Sequence, residues 1–300
     1  MAGRICITGA SGFVGGYLLR RLAASGRKIV CLGRTKPAVQ SGNVEFIAAD
    51  LLDPEGCRRA MKGCDVVIHL AALTGKQSPG EYFRVNREGT RSVVSEAREQ
   101  GVARLLYVST IAVKFQDISR YHYAQSKQQA ETIVRESGLD WTIVRPTMIF
   151  GPGSAILAGL NRLASLPLIP MFGNGRASVQ PIFVEDLAVV LASLLEVSLD
   201  RRTIEIGGPE VLSIERLLLR VRGSLGIGKG RVVHLPAGPL AACLGWVEPV
   251  LRPLLPVTAG QLASFTNDGT ATSDPYLAGW QSGMRDVEKM LQLANRDGST

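Results

Sequence analysis

A tyrosine and a lysine stand four residues apart in Tyr123-Ala124-Gln125-Ser126-Lys127. On a helix that spacing puts both side chains on one face, one turn apart, so they can share a site. A phenol that titrates near pH ~10 carries protons poorly at neutral pH unless a cation stabilises its phenolate. Lys127 can supply that cation, which makes Tyr123 a candidate proton carrier; the plain alternative is a surface pair. Tyr121 has Gln125 four residues on and lacks such a partner. Upstream, Leu105-Leu106-Tyr107-Val108-Ser109-Thr110 reads as a strand ending in two hydroxyls. Either can hydrogen-bond a substrate oxygen, or simply terminate the strand and cap the next turn.

A second chemistry-bearing stretch lies near the start, in Thr8-Gly9-Ala10-Ser11-Gly12-Phe13-Val14-Gly15. Glycines at three-residue spacing let the backbone turn sharply, let a diphosphate approach without meeting a Cβ, and let a helix pack close to its strand. Amides at the helix start then face phosphate charge. Gly9, Ser11, Gly12, Phe13, Val14 and Gly15 are thus candidate contacts to a dinucleotide; a lone glycine turn can also be an ordinary strand-to-helix connection. The next apolar run ends in Val30-Cys31-Leu32-Gly33-Arg34. A carboxylate there would bind ribose hydroxyls and select NAD, whereas Arg34 accommodates a 2′-phosphate and favours NADP.

The elements that must position these groups alternate. Strands are expected near Ile5 to Thr8, Lys28 to Leu32, Val44 to Ala48, Asp65 to Leu70, Arg104 to Ser109 and Trp141 to Arg145, with amphipathic helices between them. That order predicts an α/β fold with a Rossmann-type, doubly wound parallel sheet and ligands at the carboxyl ends of its strands. Beyond Pro146 the Gly- and Pro-rich texture predicts loops, with helices over Phe183 to Val197 and Leu212 to Val221. The expected division is an NAD(P)-binding domain at 1–150, with contributions from about 177–206, and a smaller α+β region at 151–300 devoted mainly to substrate.

A formal net charge of +8 suits anionic ligands, but Lys and Arg are scattered and no nucleic-acid module accompanies them, so nucleic acid is not an expected partner. The cysteines Cys6, Cys31, Cys57, Cys64 and Cys243 show no C-x-x-C spacing and read as buried, reduced thiols, with no metal site. The chain opens on a strand without a signal peptide, which points to the cytoplasm. The apolar stretch His234 to Val257 is expected to be broken by its prolines, a poor membrane-spanning helix and a better apolar wall or lid. His69 reads as structural, His122 and His234 receive no role, and Glu185-Asp186 reads as an acidic helix start favoured by the dipole.

Taken in order, Gly9-x-x-Gly12-x-x-Gly15, Asp50-Leu51, His69-Leu70-Ala71-Ala72, Val85-Asn86 with Gly89-Thr90, Val108-Ser109-Thr110, Tyr123-x-x-x-Lys127 and Arg145-Pro146 resemble the extended short-chain dehydrogenase/reductase superfamily. Within it, the likeness is to the NAD-dependent epimerase/dehydratase family. The resemblance covers most of the first 185 residues. It implies that Tyr123 is the general acid/base, that Lys127 holds the nicotinamide ribose and lowers the tyrosine pKa, and that Thr110 orients the substrate carbonyl or hydroxyl. It places Asp50 and Leu51 beside the adenine, and Leu70, Ala71 and Ala72 along the phosphate-ribose path. Asn86 and Val108 fall on the cofactor side, and Pro146, Thr147 and Met148 at the nicotinamide carboxamide. Thr110 and Tyr123 are thirteen residues apart, fewer than in many sugar-nucleotide enzymes of the family. The activity implied is that of an NAD(P)-dependent oxidoreductase or epimerase at a secondary alcohol or ketone. Nucleotide-sugar epimerase or dehydratase chemistry leads. A 3β-hydroxysteroid-dehydrogenase-like reductase or dehydrogenase of a lipophilic alcohol comes second, and a non-catalytic NADP-binding sensor or accessory subunit is the alternative of another class. The resemblance also implies a homodimer formed through a helix pair, with the helix bearing Tyr123 as a candidate.

Overall fold

Alternating apolar and amphipathic runs build a seven-stranded sheet. The computed structural model describes residues 3–197, 201–228, 230–251, 258–272 and 274–296. The strands in chain order are β1 (Ile5–Thr8), β2 (Ile29–Gly33), β3 (Val44–Ala48), β4 (Val66–His69), β5 (Arg104–Val108), β6 (Asp140–Pro146), β7 (Ile149–Phe150), β8 (Leu168–Phe172), β9 (Ser178–Val179), β10 (Ile182–Phe183), β11 (Arg202–Ile206), β12 (Leu212–Ser213) and β13 (Arg231–Leu235). The helices are α1 (Phe13–Ala24), α2 (Pro54–Met61), α3 (Pro79–Tyr82), α4 (Gly89–Glu99), α5 (His122–Arg135), α6 (Ala155–Ala164), α7 (Val184–Ser193), α8 (Ile214–Ser224), α9 (Ala237–Leu251), α10 (Ala259–Thr266), α11 (Ala278–Gln281) and α12 (Val287–Arg296).

Two compact units share the chain. The first comprises Met1–Thr110, Tyr123–Arg145 and Leu187–Ile204; the second comprises Ile111–His122, Pro146–Asp186 and Glu205–Thr300. In the first, the sheet order is β11-β6-β5-β4-β1-β2-β3, and every ladder from β3 through to β6 is parallel. The order reverses at β1, which pairs with β2 on one side and β4 on the other, and such a switch point opens a crevice at the strand ends. Register sets Thr8, His69 and Tyr107 side by side across β1, β4 and β5. One face of the sheet buries Cys6, Val30, Val67, Leu105 and Ile143 with Val93 and Ala97 of α4 and Ala130 and Val134 of α5. Strands buried on both faces need continuous apolar runs, which is how β1, β2 and β4 read in sequence. β11 is not among the expected strands: in Arg202-Thr203-Ile204-Glu205-Ile206 only Ile204 and Ile206 are buried.

In the second unit β8 pairs with β13 and β7 with β10, both parallel, while β9 and β12 are antiparallel. Its core gathers Phe150, Leu160, Ile169, Phe183, Leu217, Leu262 and Met290. The prolines do not interrupt the apolar stretch where expected. Ala237–Leu251 is a continuous helix of 15 residues: Pro236 precedes it, Pro239 lies in its first turn, where no backbone N–H is needed, and Pro249 falls in its last turn. Residues 252–257 of that stretch lie outside the described residues. Leu244 of α9 is packed into the core while Trp246 is 87% exposed. Among the described residues, no helix is long and apolar enough to cross a membrane. Cys6, Cys31, Cys57 and Cys64 are buried thiols, but Cys243 on α9 is exposed, contrary to expectation. Burial pushes Cys31, Cys57 and Cys64 up to about 11, which makes them poor nucleophiles.

Candidate active site

The glycine turn joins β1 to α1 without room for a side chain at Gly9 or Gly15. Gly9 has φ +75°, and a Cβ there would stand 2.6 Å from the Ala71 nitrogen. At Gly15 a Cβ would lie 2.1 Å from the Gly9 carbonyl oxygen. Gly12 caps α1 in an extended conformation, with no side-chain cap and no acidic residue in the first turn. The helix therefore starts with amides that no side-chain cap or first-turn carboxylate meets, beside a turn exposed at Ser11 and Gly12. This cradle fits the diphosphate of a nicotinamide dinucleotide. Arg34 is exposed directly after β2. Asp50 accepts a hydrogen bond from the Leu52 amide at 3.0 Å. Leu51 is buried and faces Gly89, where an added Cβ would be 3.1 Å from its Cδ1. Leu70, Ala71 and Ala72 come directly after β4 and are half-buried.

Helix α5 carries Tyr123 and Lys127 on one face. Tyr123 is half-buried, its ring centroid 6.0 Å from that of Tyr82. Lys127 is buried: its Nζ donates to the Val108 carbonyl at 2.8 Å and sits 4.2 Å from the Tyr107 ring centroid. Burial brings the ammonium down from 10.5 to about 7, while the Glu131 carboxylate works in the opposite direction. Lys127 thereby ties α5 to the end of β5, two residues before Thr110, which is half-buried. The Tyr107 phenol is itself held well above its ordinary value by burial.

Behind these groups runs a buried polar chain with a fixed direction. The Ala71 amide donates to Thr8 Oγ1 at 3.3 Å, Thr8 Oγ1 is 2.6 Å from His69 Nδ1, and His69 Nε2 is 2.9 Å from Thr90 Oγ1. Thr90 donates its one hydroxyl hydrogen to the Asn86 carbonyl at 2.6 Å. It therefore accepts from His69 Nε2–H, leaving Nδ1 unprotonated to accept from Thr8. Burial and then the Lys127 charge hold His69 down at about 3, so it is neutral across the working range. Asn86 lies in a π-helical turn, Phe83–Glu88. Its Oδ1 accepts from the Leu73 amide at 2.6 Å, and its Nδ2 donates to the Leu73 carbonyl at 3.1 Å and to Ser126 Oγ at 3.0 Å. Ser126 Oγ donates to the Tyr123 carbonyl at 2.7 Å. Sequence reasoning does not single out Thr90 or Ser126 as site residues, although each sits inside a quoted motif.

Pro146, Thr147 and Met148 belong to the second unit. Thr147 is buried, with its amide donating to the Ile206 carbonyl at 2.9 Å and its hydroxyl to the Gln180 carbonyl. Glu185 and Asp186 do more than favour a helix start. Asp186 accepts from the Arg285 amide at 2.9 Å and pairs with its guanidinium, which also meets Glu185 at 2.7 Å.

A family model described as the NAD dependent epimerase/dehydratase family matches residues 5–207. A ceramide reductase of Caulobacter vibrioides is 36% identical over 195 residues, which are 64% of this chain and 60% of that protein. A 2-alkyl-3-oxoalkanoate reductase of Shewanella oneidensis is 29% identical over 63% of this chain and 56% of its own length. The chain thus spans about three fifths of these curated relatives. The solved UDP-glucose 4-epimerase of Thermus thermophilus, a complex with NAD, shares the fold with a TM-score of 0.75 at 21% identity, covering 99% of this chain and 100% of the other.

Proposed function

Because this chain belongs to the NAD dependent epimerase/dehydratase family, we propose that it is an NAD(P)-dependent reductase or dehydrogenase acting at a secondary alcohol or ketone of a lipophilic substrate. The observation that carries the catalytic part is Lys127, buried and bonded to Val108 at 2.8 Å one turn beyond Tyr123. A bound nicotinamide supplies or takes up hydride at the substrate carbon. Tyr123 gives the matching proton to the substrate oxygen in reduction and takes it in oxidation, and Lys127 stabilises the phenolate left behind. Thr110 orients that oxygen by hydrogen bond. Gly9 to Gly15 and the start of α1 hold the diphosphate, and Arg34 favours NADP by meeting a 2′-phosphate.

The lipophilic substrate is supported by the names of the Caulobacter and Shewanella reductases and by the apolar α9. A nucleotide-sugar epimerase or dehydratase is the second reading, favoured by the shared fold of the Thermus enzyme and by the basic balance of the chain. The proposal includes a cytoplasmic location and a homodimer through a helix pair. Tyr123→Phe tests the catalytic part: dinucleotide affinity stays, and turnover of a lipophilic ketone falls by ~10²–10⁴. Undiminished turnover removes Tyr123 from the reaction. Nucleotide carried through purification separates the substrate readings, since an epimerase regenerates and retains its oxidised cofactor, whereas a reductase exchanges it.

A further inference from the structure

Glu131 lies four residues beyond Lys127 on the same face of α5, and it is fully buried. Arg145 Nε donates to its Oε1 at 2.9 Å and Arg145 Nη2 to its Oε2 at 2.6 Å, a two-point fork. Arg135 Nη2 adds a bond to Oε2 at 2.8 Å. Two cations, Arg135 and Arg145, thus grip one carboxylate, whose charge also acts on Lys127 one turn back. Helix geometry explains the placement: Tyr123, Lys127 and Glu131 are spaced by four, so one stripe of α5 carries proton donor, cation and anion in order.

The groups facing Lys127 leave Glu131 as its counter-charge. From β4 comes His69, which is neutral, and from β5 the face of the un-ionised Tyr107. On α5 stand Tyr123 and Glu131, and β6 contributes Arg145, of the same sign as Lys127. Val108 offers a carbonyl dipole but no charge.

We propose that Glu131 is a positioning residue for the Tyr123–Lys127 pair, a buried anion that favours the charged form of Lys127 against its burial and fixes α5 to β6 through Arg145. The inference rests on the catalytic reading of that pair. Arg135 and Arg145 hold the carboxylate in place, yet as cations they oppose protonation of Lys127, so the anion and its clamps act on Lys127 with opposite signs. An ion pair that only braces α5 against β6, its charge not reaching Lys127, predicts no change in Lys127 protonation when the carboxylate charge is removed.

The test reads Lys127 itself. In cofactor-free protein labelled with ¹³C-lysine, the Lys127 Cε resonance, assigned by its loss in Lys127→Met, is titrated against pH. Glu131→Gln keeps the shape and removes the charge, and it moves the Lys127 midpoint down by at least ~1 pH unit, a roughly tenfold loss of proton affinity. Arg135→Gln, at the more exposed end of the cluster, removes a nearby cation and raises the midpoint. The inference is overturned by a Glu131→Gln midpoint within a few tenths of wild type, or by a fall in Arg135→Gln. Should Glu131→Gln fail to fold, Arg135→Gln decides alone: a raised midpoint supports the inference, and an unmoved or lowered one overturns it. In the activity assay, the alkaline limb for Glu131→Gln moves to lower pH alongside the resonance. Because the resonance needs no substrate, an unmoved midpoint sinks the role of Glu131 and leaves Tyr123 standing. Undiminished turnover in Tyr123→Phe does the reverse.

Discussion

Replacing Lys127 by methionine stabilises the folded protein in acid while abolishing the proposed chemistry. The wild-type ammonium falls from 10.5 to about 7 on folding because burial strips its water, and the group is wholly enclosed. Below pH 7 both folded and unfolded chains carry the charge, so the full penalty of burying it stands. At ~1.4 kcal/mol per pH unit, that fall corresponds to ~5 kcal/mol. Between about 7 and 10.5 the unfolded chain binds a proton that the folded one does not, so stability rises with pH. At pH ~9 only ~2 kcal/mol of the penalty remains. Methionine fills similar volume but leaves the Val108 carbonyl without its donor, which costs ~2 kcal/mol at any pH. The net is a variant more stable than wild type by ~3 kcal/mol at pH ~6 and about equal to it at pH ~9. Urea unfolding of cofactor-free protein at the two pH values measures both. A Lys127→Met variant no more stable than wild type in acid, or a gain that persists unchanged at the higher pH, refutes the reasoning.

Three further outcomes are expected from the geometry. Gly15→Ala sets a Cβ 2.1 Å from the Gly9 oxygen, so the turn must shift; isothermal titration should find dinucleotide affinity at least ~10-fold weaker, with ~1–3 kcal/mol of stability lost. Arg34→Ala removes the group proposed to meet a 2′-phosphate. It should erase a preference for NADPH over NADH in fluorescence titration, and tighter NADH binding by wild type would count against the assignment. Arg285→Met leaves the Asp186 carboxylate, mostly buried, with only the backbone bond from residue 285 among the described residues. Thermal melting should show a loss of ~1–2 kcal/mol, and an unchanged melt would mean that the clamp carries no stability.

The first unit is legible because its strands are short apolar runs whose ends coincide with a change of periodicity. Val44–Ala48 and Ile5–Thr8 match their expected bounds, and the other four expected strands shift by a residue or so at their ends. β11 escapes such a reading because a partly exposed strand with Arg202 and Glu205 carries no continuous apolar run. The helix at Ala237–Leu251 departs from expectation because a count of prolines ignores their position: Pro239 and Pro249 fall in its first and last turns and leave its middle free of proline. Spacing alone puts Tyr123 and Lys127 on one face. The partners of His69 are not legible, since Thr8, His69 and Thr90 come together only through the β1–β4 register and the approach of α4. Glu131 carries a readable signal, its distance of four from Lys127, but its arginine partners are set by tertiary structure.

The division of the chain also bears on how the protein is made. The chain switches between the two units five times, and the first two of these switches bracket Ile111–His122. No continuous stretch contains the whole first unit before Ile204 has been added, and the second already holds Ile111–His122 and Pro146–Asp186 by then. A ribosome therefore cannot release a finished first unit and then begin the second, as it can with domains strung end to end. Both must remain incomplete until late in synthesis, with their strand edges and apolar faces needing protection meanwhile. For the same reason, cutting a gene for this protein at one boundary yields two incomplete fragments, neither of which is a domain.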